Sequence, residues 1–151
     1  MATKQIIAID LDKVLGPHSS AVFSFMKPYK GAVEAIAKIK QKYDLYVITA
    51  RHPFFKQRTI DWINEYFPDT FTGIDFVYYK TPFGPRSSKS QICKRIGAKI
   101  ILDDKMSNAL DCAKHDIKAY LYGIQNFPRR NHLPKGITWV RDWSAVLKAL
   151  L

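Results

Sequence analysis

Four aspartates carry the most chemistry in this chain. Asp10 and Asp12 follow the apolar run Ile6-Ile7-Ala8-Ile9, and Asp103 and Asp104 follow Ile100-Ile101-Leu102. Being two apart, Asp10 and Asp12 would share one face of a regular strand. Carboxylates crowded like this raise one another's pKa or demand a counterion. A divalent cation with oxygen ligands and several waters meets that demand, and Mg²⁺ is its usual occupant. The bland alternative is that these residues only cap turns and helix starts. Two pairs, each closing an apolar run, argue against it in a chain with 13 acidic residues. Thr49, Lys89, Arg51 and His52 stand near such run ends as further candidates.

Something regular must hold these residues in place. Six runs rich in β-branched and aromatic residues predict strands over 5–11, 45–49, 75–79, 99–102, 119–122 and 137–140. Helical spacing appears at Val33, Ile36, Ala37 and Ile39, and again at Ile60, Trp62 and Ile63. Further helices are expected over 89–96, 107–114 and 142–150, the last with Asp142 at its N-cap. Strand and helix alternate throughout, which predicts an α/β domain of three layers around a parallel sheet. In such sheets the working groups collect beyond the carboxyl ends of the strands. Both aspartate pairs, and the segment Thr49-Ala50-Arg51-His52, fall at such ends.

Length and composition bound the rest. The 151 residues correspond to one domain, spanning 1–151. With 47% hydrophobic and 25% charged residues, a disordered or low-complexity chain is excluded. The net charge of +11 and a pI near 9.7 favour anionic partners, without naming one. Basic residues are scattered, and only Arg129, Arg130, His132 and Lys135 resemble a binding loop. The apolar runs are too short to span a membrane, and the start has no signal-peptide order. Cys93 and Cys112 form no metal-binding pattern, so reduced thiols and a cytoplasmic location are expected. The 81–88 segment is rich enough in turn residues to act as a lid. Phe23, Phe25, Tyr29, Phe54 and Phe55 are expected to pack, with base stacking as the alternative.

Taken in order, these motifs resemble those of the haloacid dehalogenase superfamily of phosphohydrolases. Asp10-Leu11-Asp12-Lys13-Val14 resembles its first motif, and Val47-Ile48-Thr49-Ala50-Arg51 its second. Lys89 matches the third, and Ile100-Ile101-Leu102-Asp103-Asp104 the fourth. Within the superfamily the wording is similar to the 5'(3')-deoxyribonucleotidase group, although Lys13 stands where many relatives carry glycine. Only the 33 residues from 16 to 48 separate the first two motifs, so a nearly capless, Rossmann-like core is expected.

The resemblance implies a Mg²⁺-dependent phosphatase acting on nucleotides or phosphorylated nucleic-acid ends. Asp10 would attack phosphorus and form an aspartyl-phosphate, with Asp12 as general acid and base. Thr49, Ala50 and Lys89 would bind the phosphoryl group. Asp10, the Asp12 backbone carbonyl and Asp104 would hold the metal, with Asp103 behind Asp104. Arg51 and His52 would face the leaving group or the solvent. Asn108 is expected to cap the following helix rather than to orient a metal-bound water. The rival is a non-catalytic module holding nucleic acid on its basic surface. Binding a polyanion, however, gains nothing from keeping both Asp10 and Asp12.

Overall fold

The computed structural model describes residues 2–17, 26–77, 87–128 and 133–151. The predicted alternation folds as β1 (Gln5–Ile9), α1 (Ala32–Lys42), β2 (Tyr43–Thr49), α2 (Lys56–Tyr66) and β3 (Gly73–Phe76). The second half continues as α3 (Lys89–Ile96), β4 (Ala98–Asp103), α4 (Met106–Lys114), β5 (Lys118–Tyr122), β6 (Ile137–Val140) and α5 (Trp143–Leu150). All five strand pairings are parallel, in the order β3-β2-β1-β4-β5-β6. The chain builds outward from β1 to one edge, then returns to β4 and builds to the other. The adjacent ends of β1 and β4 therefore flank the crevice where strand order reverses.

Alternating side chains send the sheet's apolar residues to two cores. Ile7, Ile9, Leu45, Val47 and Leu102 pack with residues of α1, α2 and α5 on one face. Ala8, Ile48, Ile101, Ala119 and Leu121 pack against α3 and α4 on the other. This is the expected three-layer α/β architecture. Among the described residues no helix is long and apolar enough to cross a membrane.

Several expectations need adjustment. β1 stops at Ile9 rather than residue 11, and the backbone turns over residues 13–15, just past the first aspartate pair. β3 begins at Gly73, and residues 78 and 79 of its expected span lie outside the described residues. Glycine suits that edge for a steric reason: a Cβ at residue 73 would come within 2.7 Å of the Tyr46 ring. The buried stripe of α1 is Ala32, Ala35, Ile36 and Ile39, which leaves Val33 on the outside. Ile36 and Ile39 of the expected spacing lie on the buried face, while Ala37 is exposed like Val33. Asp142 caps α5 as expected, its carboxylate accepting the Ala145 N–H at 3.0 Å. Cys93 and Cys112 are both free and fully buried.

Each of the three tryptophans pins a loop at the carboxyl side of the sheet. The indole N–H of Trp62 donates to Met26 O at 2.8 Å. Trp143 donates to Val14 O at 2.9 Å, and Trp139 to Gly123 O at 2.8 Å. Buried indoles need such acceptors, and here the acceptors belong to segments beside the crevice.

Candidate active site

The apolar strands β1 and β4 deliver acid to one place. The Asp10 N–H continues the ladder past β1 by donating to Leu102 O at 2.9 Å, which sets Asp10 beside Asp103 at the end of β4. Lys89 enters from the other core layer. It is the first residue of α3, whose start is fixed by a capping box between Ser88 and Gln91. Its Nζ donates to Asp10 Oδ1 at 2.7 Å and to Asp103 Oδ2 at 2.6 Å, and all three residues are buried.

Asp103 is saturated from behind. Its Oδ1 also accepts the Lys105 N–H at 2.9 Å, and Asn108 Nδ2 reaches both carboxylate oxygens at 3.2 Å. Asn108 therefore holds an acid rather than capping α4, which corrects the expectation; Lys105 occupies the N-cap position. Asp104 is half-buried and faces the crevice. One carboxylate oxygen from each of Asp10, Asp103 and Asp104 lies within 4.8 Å of the others, an arrangement able to hold a cation.

Burial lifts the Asp10 carboxyl well above the usual carboxylate range, and Asp103 and Asp104 push it further against the pull of Lys89. For Lys89, burial acts downward, but Asp10 and Asp103 more than reverse it and hold the ammonium above its ordinary value. The acids and the lysine thus form one charged unit, with negative charge left over for a cation.

Asp12 stands apart from that cluster. Arg51 Nε lies 3.1 and 3.0 Å from its two oxygens, and the Arg51 side chain is itself buried. The expectation that Asp10 and Asp12 act as one acidic pair is therefore modified: the Asp12 carboxylate pairs across 39 residues with a guanidinium. Arg51 accordingly faces an acid rather than solvent. Thr49 is fully buried, and its Oγ1 accepts the Arg51 N–H at 3.2 Å. His52 is exposed, and its Nδ1 accepts the Phe54 N–H at 3.1 Å, capping a 3₁₀ turn over Pro53–Phe55.

A cavity of about 440 Å³ opens over these groups. Asp10, Asp12, Asp104 and Lys89 form its acidic and cationic floor, with Ala50, Arg51, His52 and Phe55 on the β2 side. Lys13, Lys105 and Asn108 complete the wall. Thr49 is not on that wall; it sits one residue behind Ala50. Lys105 and Asn126 escape the motif reading. Asn126 Nδ2 donates to Asp104 O at 2.6 Å and to Tyr122 O at 2.8 Å, tying the segment after β5 to the site. No sequence signal marks that long-range contact.

Lys13 has a positive φ of 63°, in the left-handed region that a side chain adopts at a cost. Replacing Lys13 with glycine is expected to raise stability by about 1 kcal/mol, read as a higher urea midpoint. The same change removes a cation from the cavity wall and should weaken inorganic phosphate binding.

Of the remaining candidates, Tyr29 stacks on Tyr122 with ring centroids 6.4 Å apart, so it packs as expected. Lys135 is exposed on the loop before β6. Phe23, Phe25, Arg129, Arg130, His132 and residues 81–86 of the expected lid lie outside the described residues.

The fold is that of the haloacid dehalogenase-like hydrolases, to whose solved structures this chain is similar across nearly its whole length. A hydrolase of that kind from Xanthomonas campestris superposes with a TM-score of 0.69 at 11% identity, over 97% of this chain and 90% of that one. The HAD-hydrolase YfnB from Bacillus subtilis, solved bound to magnesium, gives 0.66 at 10% identity, over 99% of each chain. A chain of the Pnkp1/Rnl/Hen1 RNA repair complex gives 0.60 at 12% identity. That match covers 79% of this chain, which spans only 42% of the length of the repair protein. No family model and no curated protein matches the sequence.

Proposed function

We propose that this chain is a single-domain, Mg²⁺-dependent phosphomonoester hydrolase acting on nucleotides or phosphorylated nucleic-acid ends. The carrying observation is Asp10, buried at the crevice, held at one oxygen by Lys89 and adjoining Asp103 and Asp104. The hydrolase fold of its structural neighbours and the two free, buried cysteines support an enzyme of a reducing compartment.

The donor set fits a hard divalent cation, since it offers carboxylate oxygens and no nitrogen or sulfur. Asp10 and Asp104 would hold it, together with the Asp12 carbonyl, while Asp103 is engaged by Lys89 and Asn108. When bound, Mg²⁺ offsets the repulsion between the carboxylates and an incoming phosphoryl group.

Lys89 occupies Asp10 Oδ1, which leaves Oδ2 as the nucleophile. Asp10 Oδ2 forms a bond to phosphorus as the ester oxygen departs in line, giving an aspartyl-phosphate. Asp12 supplies the proton to the departing oxygen and later takes one from the water that cleaves the intermediate, releasing inorganic phosphate. Arg51 orients Asp12, and one of its bonds must give way during proton transfer. Lys89 neutralises phosphoryl oxygens beside the Ala50 backbone, while the Thr49 hydroxyl, behind that wall, accepts the Arg51 N–H and fixes the turn that presents Ala50.

The test is p-nitrophenyl phosphate turnover with added Mg²⁺. Turnover should fall to background in EDTA and return on adding Mg²⁺ in excess of the chelator. Its absence at every metal concentration would leave the non-catalytic binding module as the better reading.

A further inference from the structure

Five large apolar side chains are exposed among the described residues, and three of them flank the crevice. Phe54 is 83% exposed, Ile124 62% and Phe127 64%. Phe54 belongs to the turn after β2, between His52 and Phe55 of the cavity wall. Ile124 and Phe127 belong to the segment after β5, which Asn126 ties to the backbone of Asp104. Because β2 and β5 lie directly outside β1 and β4, the two apolar shoulders stand on opposite sides of the acidic floor.

Each shoulder presents a ring braced from the side. Phe54 meets Phe55 edge-on with centroids 5.3 Å apart, and Phe127 meets Trp139 edge-on at 5.1 Å. An edge-to-face contact leaves a ring face open, and exposure of this size shows that no part of the described fold covers it. Between the shoulders the wall carries Lys13 and Lys105. Rings with free faces alongside cations are the elements that bind single-stranded nucleic acid, where bases stack and phosphates meet positive charge. A mononucleotide has one base and can use one shoulder at most. The net charge of +11 favours the longer polyanion.

We propose that the substrate is the phosphorylated end of a single-stranded polynucleotide, with Phe54 and Phe127 as specificity-determining residues that stack on bases flanking the terminal phosphate. The inference rests on the phosphohydrolase reading of the site and narrows its substrate. Two measurements separate the two claims. The first is the ratio of kcat/KM for a 3'- or 5'-phosphorylated oligonucleotide to kcat/KM for p-nitrophenyl phosphate. The second is fluorescence anisotropy of the same labelled oligonucleotides with the Asp10→Asn protein, which reports binding without turnover.

Phe54→Ala and Phe127→Ala should each lower the specificity ratio about tenfold, through KM, and weaken anisotropy binding to a similar degree. Phe54→Trp should restore both, and Phe54→Leu should not. An unchanged ratio, or recovery with leucine, overturns the stacking assignment. So does a mononucleotide turned over as efficiently as the oligonucleotide. A change of sedimentation coefficient in Phe54→Ala would instead make the shoulder a contact between copies of this chain. Aromatic-dependent binding by a wild type that hydrolyses nothing would keep the stacking of bases on Phe54 and Phe127 but overturn the polynucleotide end as a substrate, together with the hydrolase.

Discussion

Asp10→Asn is expected to abolish turnover and to make the metal-free protein more stable. Loss of the nucleophile should lower kcat by about three orders of magnitude or more, because the amide cannot form the covalent intermediate. The gain in stability follows from the raised pKa. Burial, with Asp103 and Asp104, makes the ionised Asp10 costly in the native state despite Lys89. An acid with a folded pKa above its unfolded value lowers stability as pH rises through and beyond the ordinary carboxylate range. Asparagine removes that cost while Lys89 keeps Asp103 as a partner. In EDTA at neutral pH the variant should melt higher, by about 2–4 °C per kcal/mol relieved. Below about pH 3, where Asp10 is protonated folded and unfolded, the difference should vanish. Added Mg²⁺ should narrow the gap by stabilising the wild type more than the variant. A lower melting temperature for the variant in EDTA would show that the pairing with Lys89 outweighs the burial cost.

Lys89→Met should cost both activity and fold. It leaves Asp10 and Asp103 buried side by side without their shared ammonium, and removing one partner of a buried ion pair costs about 3–5 kcal/mol. Urea denaturation would show this as a large drop in midpoint at neutral pH. Adding Asp103→Asn should recover part of the stability while leaving p-nitrophenyl phosphate turnover at background. Failure of that recovery would mean that Lys89 stabilises α3 by packing rather than by neutralising acid.

The legible parts of this molecule are those where one local segment carries the whole signal. Apolar runs ending in acid predict both the strands and the gathering of Asp10, Asp103 and Asp104, because a parallel sheet aligns strand ends. Asp142 is a helix cap by position alone, and it is one. Asn108 misleads for a related reason: an asparagine near a helix start suits a cap, yet a buried carboxylate five residues back offers a stronger partner. The Arg51–Asp12 pair spans 39 residues and leaves no periodic trace. In α1 the apolar spacing finds the buried Ile36 and Ile39 but also takes in the exposed Val33 and Ala37, because alanine carries little apolar signal and marks neither face. Gly73 similarly records the Tyr46 ring of a neighbouring strand rather than any preference of its own segment.

The three indole anchors also make the protein its own optical probe. Trp62, Trp143 and Trp139 each grip a carbonyl in a loop beside the crevice, and the chain contains no other tryptophan. A ligand that shifts one of those loops changes the surroundings of the indole that holds it. Intrinsic emission can therefore follow occupancy in real time, with no dye attached and no quiet background to subtract.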